Sequence, residues 1–286
     1  MKNEQMKMEK CGIYTWFGFV IPFPEKLRLI KEAGFDTICT WWDDMFVEID
    51  GRKEEHFSQA LAAGLYLEHT HLPYDGCDEL WRPGMDGDTL CEQYCKGVSE
   101  AAESGIGTVV MHPFERFVPE NGIWEVFSAR MERIAGQSAE KQIRLAIENL
   151  PDRKGFMHIV DHLNANPYVG ICFDTGHNHV TIPNDFELLE RYQDRIFALH
   201  VHDNHGTSDE HLLPYSGTID WMAFKRTIEK TGFGGSLMLE SCYPIDMEKF
   251  DKDPAHEYQA PPIPPEEYLA DAKRCCEKVL QIQTED

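Results

Sequence analysis

The residues able to bind a metal or move a proton fall at the ends of short apolar runs. One run closes on His69-Thr70-His71, the next on His112-Pro113, and a third on Glu148-Asn149. Further on come Asp174-Thr175-Gly176-His177, then His200-Val201-His202-Asp203-Asn204, and last Glu240-Ser241. From His71 through His112, Glu148, Asp174 and His200 to Glu240 the steps are 41, 36, 26, 26 and 40 residues, each enough for one strand–helix unit. Side chains alternate along a strand, so the residue two places upstream shares a face with the ligand-type residue. Those upstream residues are Val110, Ala146, Cys172, Ala198 and Met238, all apolar or small. Each strand would therefore fill an interior and deliver one ionisable group at its mouth. Imidazoles and carboxylates gathered in one place repel one another and resist desolvation unless a cation neutralises them. A divalent metal centre is the economical reading. Nitrogen and oxygen donors without thiolate suit manganese, iron or zinc, whereas magnesium and calcium favour all-oxygen sites.

To stand together, these groups need strands that all point one way. Candidate strands lie at 11–17, 36–42, 64–71, 107–112, 143–149, 168–174, 196–202 and 235–241. Helical patterns occupy 24–33, 88–104, 122–139, 155–165, 185–193, 219–230 and 264–282, with Pro24 suited to a first turn. Strand–helix alternation implies parallel strands, because each crossover needs a dozen or more residues. Eight units in roughly 250 residues predict a (β/α)8 TIM barrel, whose C-terminal face carries the active site. An open doubly wound sheet is the competitor, but no G-x-G-x-x-G follows the first strand and no G-x-x-x-x-G-K-[ST] occurs anywhere. The expected organisation is a polar N-terminal extension, 1–10, and a single barrel domain, 11–286. The long Pro-rich loop 242–263 follows the eighth strand and is expected to lie across the mouth as a lid, with a dimer contact or a surface loop as its plainer readings.

The 286 residues include 27 basic and 50 acidic side chains, a formal charge of −23 that disfavours nucleic acid and anionic membranes as partners. No apolar run reaches the roughly 18 residues of a transmembrane helix, and the N-terminus lacks a secretory h-region. Nine scattered cysteines without a C-x-x-C pair read as free thiols, so the expected setting is the cytoplasm. Isolated His56, His158, His162 and His256 read as ordinary hydrogen-bonded residues. The single D-T-G at 174–176 does not make an aspartic protease, which needs two carboxylates sharing a proton. Tyr14, Trp16 and Trp41-Trp42 are either core filling or a wall for stacking a sugar, Trp16 being carried forward as a substrate contact. Arg153-Lys154 reads as a solvated loop rather than a phosphate clamp.

H-L-P-Y (71–74), M-H-P (111–113), I-E-N (147–149), F-D-T-G-H (173–177), L-H-V-H-D-N (199–204), D-E-H-L-L-P-Y-S-G-T-I-D-W (209–221) and L-E-S (239–241) occur in that order. Together they resemble the xylose isomerase-like TIM barrels, a superfamily that also contains endonuclease IV. In the sugar isomerase/epimerase branch the resemblance implies one metal on Glu148, Asp174, His200 and Glu240. Manganese or zinc is expected, with iron, cobalt and magnesium as alternatives. The ion would chelate a carbonyl and an adjacent hydroxyl of a sugar or ketopolyol, Glu148 and Glu240 would move the proton, and His177, His71 and His112 would contact substrate. In the endonuclease IV branch three zinc ions would also use His71, His112, His177, Asp209 and His211. Two departures stand out. Tyr215 replaces the first glycine of a P-G-x-G-x-I-D turn and is expected to narrow or reshape the pocket. Asn204-His205-Gly206 also lacks the arginine of ketose 3-epimerases. The resulting reading is a metal-dependent isomerase, epimerase or related enolising enzyme, with homo-oligomer formation open. A zinc phosphodiesterase, a ketopolyol dehydratase or lyase, and a non-catalytic sugar-binding relative are the alternatives. Intact Glu148 and Glu240 speak against the last.

Overall fold

β-Branched and apolar runs too short for helices form eight strands that pair in parallel into one sheet. The structure, a computed structural model, describes residues 8–44, 47–244 and 261–284. In chain order the strands are β1 Cys11–Tyr14, β2 Thr37–Trp41, β3 Tyr66–His71, β4 Thr108–Met111, β5 Arg144–Glu148, β6 Val169–Asp174, β7 Ile196–His200 and β8 Leu237–Leu239. From β1 to β7 each strand pairs with the next in sequence, and β8 returns to β1, with Ile13 opposite Leu239. The remaining seam is bridged at Val201 and Leu239, where Val201 N–H donates to the Met238 carbonyl at 2.8 Å. This is the eight-stranded (β/α)8 barrel expected from the alternation.

Two layers of apolar packing follow from strand parity. The larger core lies between sheet and helices, and includes Ile13, Leu67, Val109, Ile147, Phe173 and Leu199. Inside the barrel, Val110, Ala146, Cys172 and Ala198 form one buried cluster, and Tyr14, Cys39 and Met238 another. The five upstream residues singled out by alternation are thus all interior. Small and medium side chains here leave the barrel axis filled, and the polar groups stacked above them are forced to the mouth.

Helices cover the outside. Met85–Glu103 and Trp124–Lys141 are the longest, and Pro265–Leu280 closes the ring, burying Leu269, Ala272, Cys276 and Val279. Among the described residues three aspartates cap helices with their side chains, namely Asp152, Asp174 and Asp220. The helix Lys53–Ala62 was not foreseen; it buries only His56 and Ala60, too narrow a stripe to stand out in sequence. Arg153 is not a loop residue: it opens the helix Arg153–His162 and pairs with Asp185 and Glu187 at 3.3 and 2.8 Å. Within the expected N-terminal extension, Met8 packs into the core and the Lys10 carbonyl accepts from Leu237 N–H. All nine cysteines are free thiols. Among the described residues no helix is long and apolar enough to cross a membrane.

Candidate active site

Four strands place their terminal side chains in one cluster. Glu148, Asp174 and His200 are the last residues of β5, β6 and β7, and Glu240 stands one past β8. One ligand atom from each lies within 4.8 Å of every other. Glu148 is the hub. Its Oε2 sits 3.1 Å from His71 Nε2 and 3.0 Å from His200 Nδ1, and its Oε1 sits 3.3 Å from His112 Nε2 and 3.2 Å from His177 Nδ1. Glu240 Oε2 is 3.2 Å from His200 Nδ1. Asp174 accepts from the backbone N–H of His177 at 2.6 Å through Oδ1, and its Oδ2 lies 3.0 Å from His202 Nε2. Asn149 clamps the Asp174 backbone, accepting from its N–H at 2.8 Å and donating to its carbonyl at 3.0 Å.

The loop after β7 brings a second patch beside the first. Asp209 Oδ2 is 3.2 Å from His177 Nε2 and 3.0 Å from His211 Nε2. His211 stacks on His202 with ring centroids 4.1 Å apart, its backbone held at φ 48. Gly176 is required here, because a Cβ would collide with the His202 ring. Asp203, fully buried, accepts from Asn204 N–H, Ile219 N–H, Tyr215 N–H and Trp221 Nε1–H and so braces the whole loop. Tyr215, expected to narrow or reshape the pocket, is partly exposed. It occupies the glycine position at φ 72, and its ring turns outward beneath Lys278, whose Nζ lies 3.6 Å from the ring centroid.

Electrostatics makes the cluster a site that demands positive charge. Burial opposes ionisation of Glu148, but His200 and His112 outweigh it and hold the carboxyl well below its usual range. Glu240 is likewise lowered to about 2, burial being overcome by His200. Against burial, Asp174 and Asp209 push His177 up, Asp209 pushes His211 up, and Cys172, Glu240 and Glu148 push His200 up. Burial keeps His69 well below the ordinary imidazole value and lowers His112. Protons on imidazoles thus supply charge that a divalent ion supplies more compactly. The donor set fits such an ion: His200 Nδ1 and Glu240 Oε2 are both buried, and neither makes a hydrogen bond. Such orphaned atoms are costly unless something binds them.

Aromatic rings wall one side. Trp41 meets His71 edge-on at 4.7 Å and Tyr74 at 5.5 Å, and Tyr74 stacks on His112 at 4.8 Å. Trp16 and Trp41 line a cleft with Asp43, Asp50 and His56, whereas Trp42 is core. Every singled-out ligand-type residue comes to this face. His69 and His202 were not singled out, although H-x-H spacing on β3 and at the end of β7 turns both histidines of each pair inward. His162 pairs with Glu132 at 2.8 Å and His158 packs on Trp124, both outside the site; His256 lies outside the described residues. So does most of the expected lid: residues 245–260 are not described, while Cys242 N–H donates to the His211 carbonyl and Tyr243 N–H to that of Phe17.

A parallel eight-stranded barrel with carboxylates and imidazoles at the C-terminal ends of its strands defines a class of barrel proteins with a metal-type mouth. Within it the chain belongs to the xylose isomerase-like TIM barrel family, whose description matches residues 27–278. Among curated proteins it is 31% identical over 157 residues to y4fM of Sinorhizobium fredii, covering 51% of this chain and 50% of that one. It is 27% identical over 161 residues to MJ1311 of Methanocaldococcus jannaschii, covering 50% and 54%. The match thus spans about half the length of these relatives. A D-psicose 3-epimerase from Clostridium cellulolyticum H10, solved with D-tagatose, superposes with TM-score 0.76 at 14% identity over 96% of this chain and 100% of that one. An L-ribulose 3-epimerase superposes with TM-score 0.72 at 14% identity over 95% and 96%. At such identities these likenesses establish the shared fold.

Proposed function

We propose that this chain is a metal-dependent isomerase or epimerase that moves a proton beside the carbonyl of a sugar or ketopolyol. The observation that carries this reading is the placement of Glu148 and Glu240, on strands three apart in the ring, 3.0 and 3.2 Å from the same His200 nitrogen. Two carboxylates facing one small space can act as a pair, one removing a proton from carbon and the other returning it on the opposite face. The named epimerase neighbours support the same chemistry.

Glu148, Asp174, His200 and Glu240 would hold the ion, manganese or zinc, which supplies Lewis acidity toward the substrate carbonyl. Glu148 and Glu240 are both held ionised, the state a general base needs. Asp174 and Asp209 favour the protonated form of His177, and its Nε2–H, which faces Asp209 Oδ2 at 3.2 Å, would donate to a substrate oxygen by exchanging that contact. His71 and His112 flank Glu148 and fix its orientation. Trp41 and Tyr74 offer flat faces to the C–H side of a sugar, and Trp16 extends that wall into the neighbouring cleft. The test is a solvent-deuterium exchange screen over ketoses, inososes and their phosphates with manganese or zinc present. Metal-dependent exchange into one substrate is expected. Tightly bound metal with no exchange in any of them, together with cleavage of abasic-site DNA, would transfer the assignment to a zinc phosphodiesterase. That second reading is favoured by one observation, the contact of His177 and His211 with Asp209 beside the main cluster.

A further inference from the structure

We propose that His69 is a positioning residue that sets the tautomer of His200 and thereby presents His200 Nδ1 as a lone pair to the metal. The inference rests on the reading of His200 as a ligand. His69 lies two residues before His71 on β3, so it points into the barrel, and it is fully buried. Its Nε2 lies 3.2 Å from His200 Nε2, with the rings inclined by 30° and their centroids 5.3 Å apart. The opposite nitrogen of His200, Nδ1, faces Glu148 Oε2 and Glu240 Oε2 at 3.0 and 3.2 Å without a hydrogen bond.

The tautomers follow from these contacts. A ligating Nδ1 must be unprotonated, so a neutral His200 carries its proton on Nε2. Two N–H groups cannot face each other across 3.2 Å, so His69 accepts there and carries its own proton on Nδ1, a buried nitrogen with no hydrogen-bond partner among the described residues. Cys39 lies close to both imidazoles, its sulfur within 4.8 Å of a nitrogen of each. The interior side chains of the barrel form two clusters, Tyr14, Cys39 and Met238 in one and Val110, Ala146, Cys172 and Ala198 in the other. Thiols are weak acceptors, and the Cys39 thiol already donates to the Thr40 carbonyl at 3.8 Å. Metal-bound histidines usually donate their second N–H to a carboxylate or carbonyl. Here a neutral imidazole takes that part, which adds no negative charge behind the metal. Without the acceptor, His200 is free to move its proton to Nδ1, where two carboxylates would welcome it and the metal would be shut out.

The test uses the full chain and zinc as the probe. Zinc affinity is measured by chelator competition for the wild type, His69→Leu, His69→Gln and His200→Asn, alongside nitrogen-15 spectra of labelled histidines with and without zinc. Loss of a second partner typically costs 10–100-fold in affinity, and that fall is expected for His69→Leu. His69→Gln, whose amide oxygen can accept from His200, should stay near the wild type. The zinc-loaded wild-type spectrum should show His200 protonated at Nε2 and His69 at Nδ1, a readout that needs no variant to fold. A His69 protonated at Nε2, or wild-type affinity in His69→Leu while His200→Asn loses zinc, overturns the assignment alone. Equal zinc binding by His200→Asn and the wild type removes the ligand reading and this inference with it.

Discussion

Asp203 tests how the loop that carries Asp209 and His211 is held in place. Its side chain is fully buried and takes four N–H donors: Asn204 N at 2.9 Å and Ile219 N at 3.1 Å on one oxygen, Tyr215 N at 2.9 Å and Trp221 Nε1 at 3.1 Å on the other. Asp203→Asn keeps the shape but replaces one oxygen by an amide NH2. In either orientation two donors lose their acceptor and meet another donor. A hydrogen bond to a charged acceptor contributes about 1.5–3 kcal/mol, so two lost bonds amount to about 3–6 kcal/mol. Relaxation of the exposed part of the loop should offset some of this, leaving about 3–4 kcal/mol. Native stability is about 5–15 kcal/mol, so the variant folds but is markedly weakened. At about 2–4 °C per kcal/mol for a chain of this order of size, the metal-free protein should melt about 10 °C lower. Limited proteolysis should open new cuts between 205 and 218. Asp209→Asn is the control: that side chain is 36% exposed and touches site histidines, so its loss should affect the site more than the melt. An Asp203→Asn protein that melts within about 2 °C of the wild type and shows no new cuts would refute the bracing argument.

Three other outcomes are expected. Glu148→Gln and Glu240→Gln should each lower metal-dependent solvent exchange by about 10²–10⁴-fold, followed by NMR, with metal content measured separately. Without metal, the raised His177, His200 and His211 contribute stability that is complete below their ordinary value of 6.5 and lost as pH rises through their higher folded values. Glu240 contributes stability above 4.5 that is lost as pH falls toward about 2. Metal binding must displace the proton from Nδ1 of the ligand His200, so the gap in melting temperature between loaded and metal-free protein should widen from pH 6 to pH 8; a constant gap would reject this linkage. Tyr215→Gly should be about 1 kcal/mol more stable than Tyr215→Ala, because both lose the Lys278 contact but only alanine keeps a side chain at φ 72. Equal stability in chemical denaturation would remove the strain argument.

Strand parity made most of the site legible before any coordinates. An apolar or small residue, an apolar neighbour facing the helices and a ligand-type residue is a short pattern, yet repeated on β4 to β8 it correctly placed Val110, Ala146, Cys172, Ala198 and Met238 inside and the ionisable groups at the mouth. What stayed hidden depended on contacts between distant segments. Nothing local in His69-Thr70-His71 says that its first imidazole meets a histidine 131 residues away. The outward turn of Tyr215 depends on Lys278 in the final helix, so the glycine-position substitution could be read but its direction could not. The helix Thr175–Thr181 was missed because Asp174, marked as a ligand-type residue, is also its N-cap.

Metal count and substrate charge are linked by the electrostatics of this mouth. Glu148, Asp174, Asp209 and Glu240 bring four negative charges. One divalent ion would cancel two of them, and protons on His177 and His211, whose charged forms Asp209 favours, would cancel the rest. The resulting centre would be neutral and would suit an uncharged polyol. Three zinc ions would instead strip the protons from those histidines and leave two net positive charges, which suits a phosphodiester. The formal charge of −23 repels a polyanion at long range and favours the first arrangement. Proton release on metal binding separates the two cases. Titration with zinc in buffers of different ionisation enthalpy should show His177 and His211 retaining their protons at saturation. Loss of both protons, with more than one zinc bound, would make this a positively charged centre and its substrate an anion.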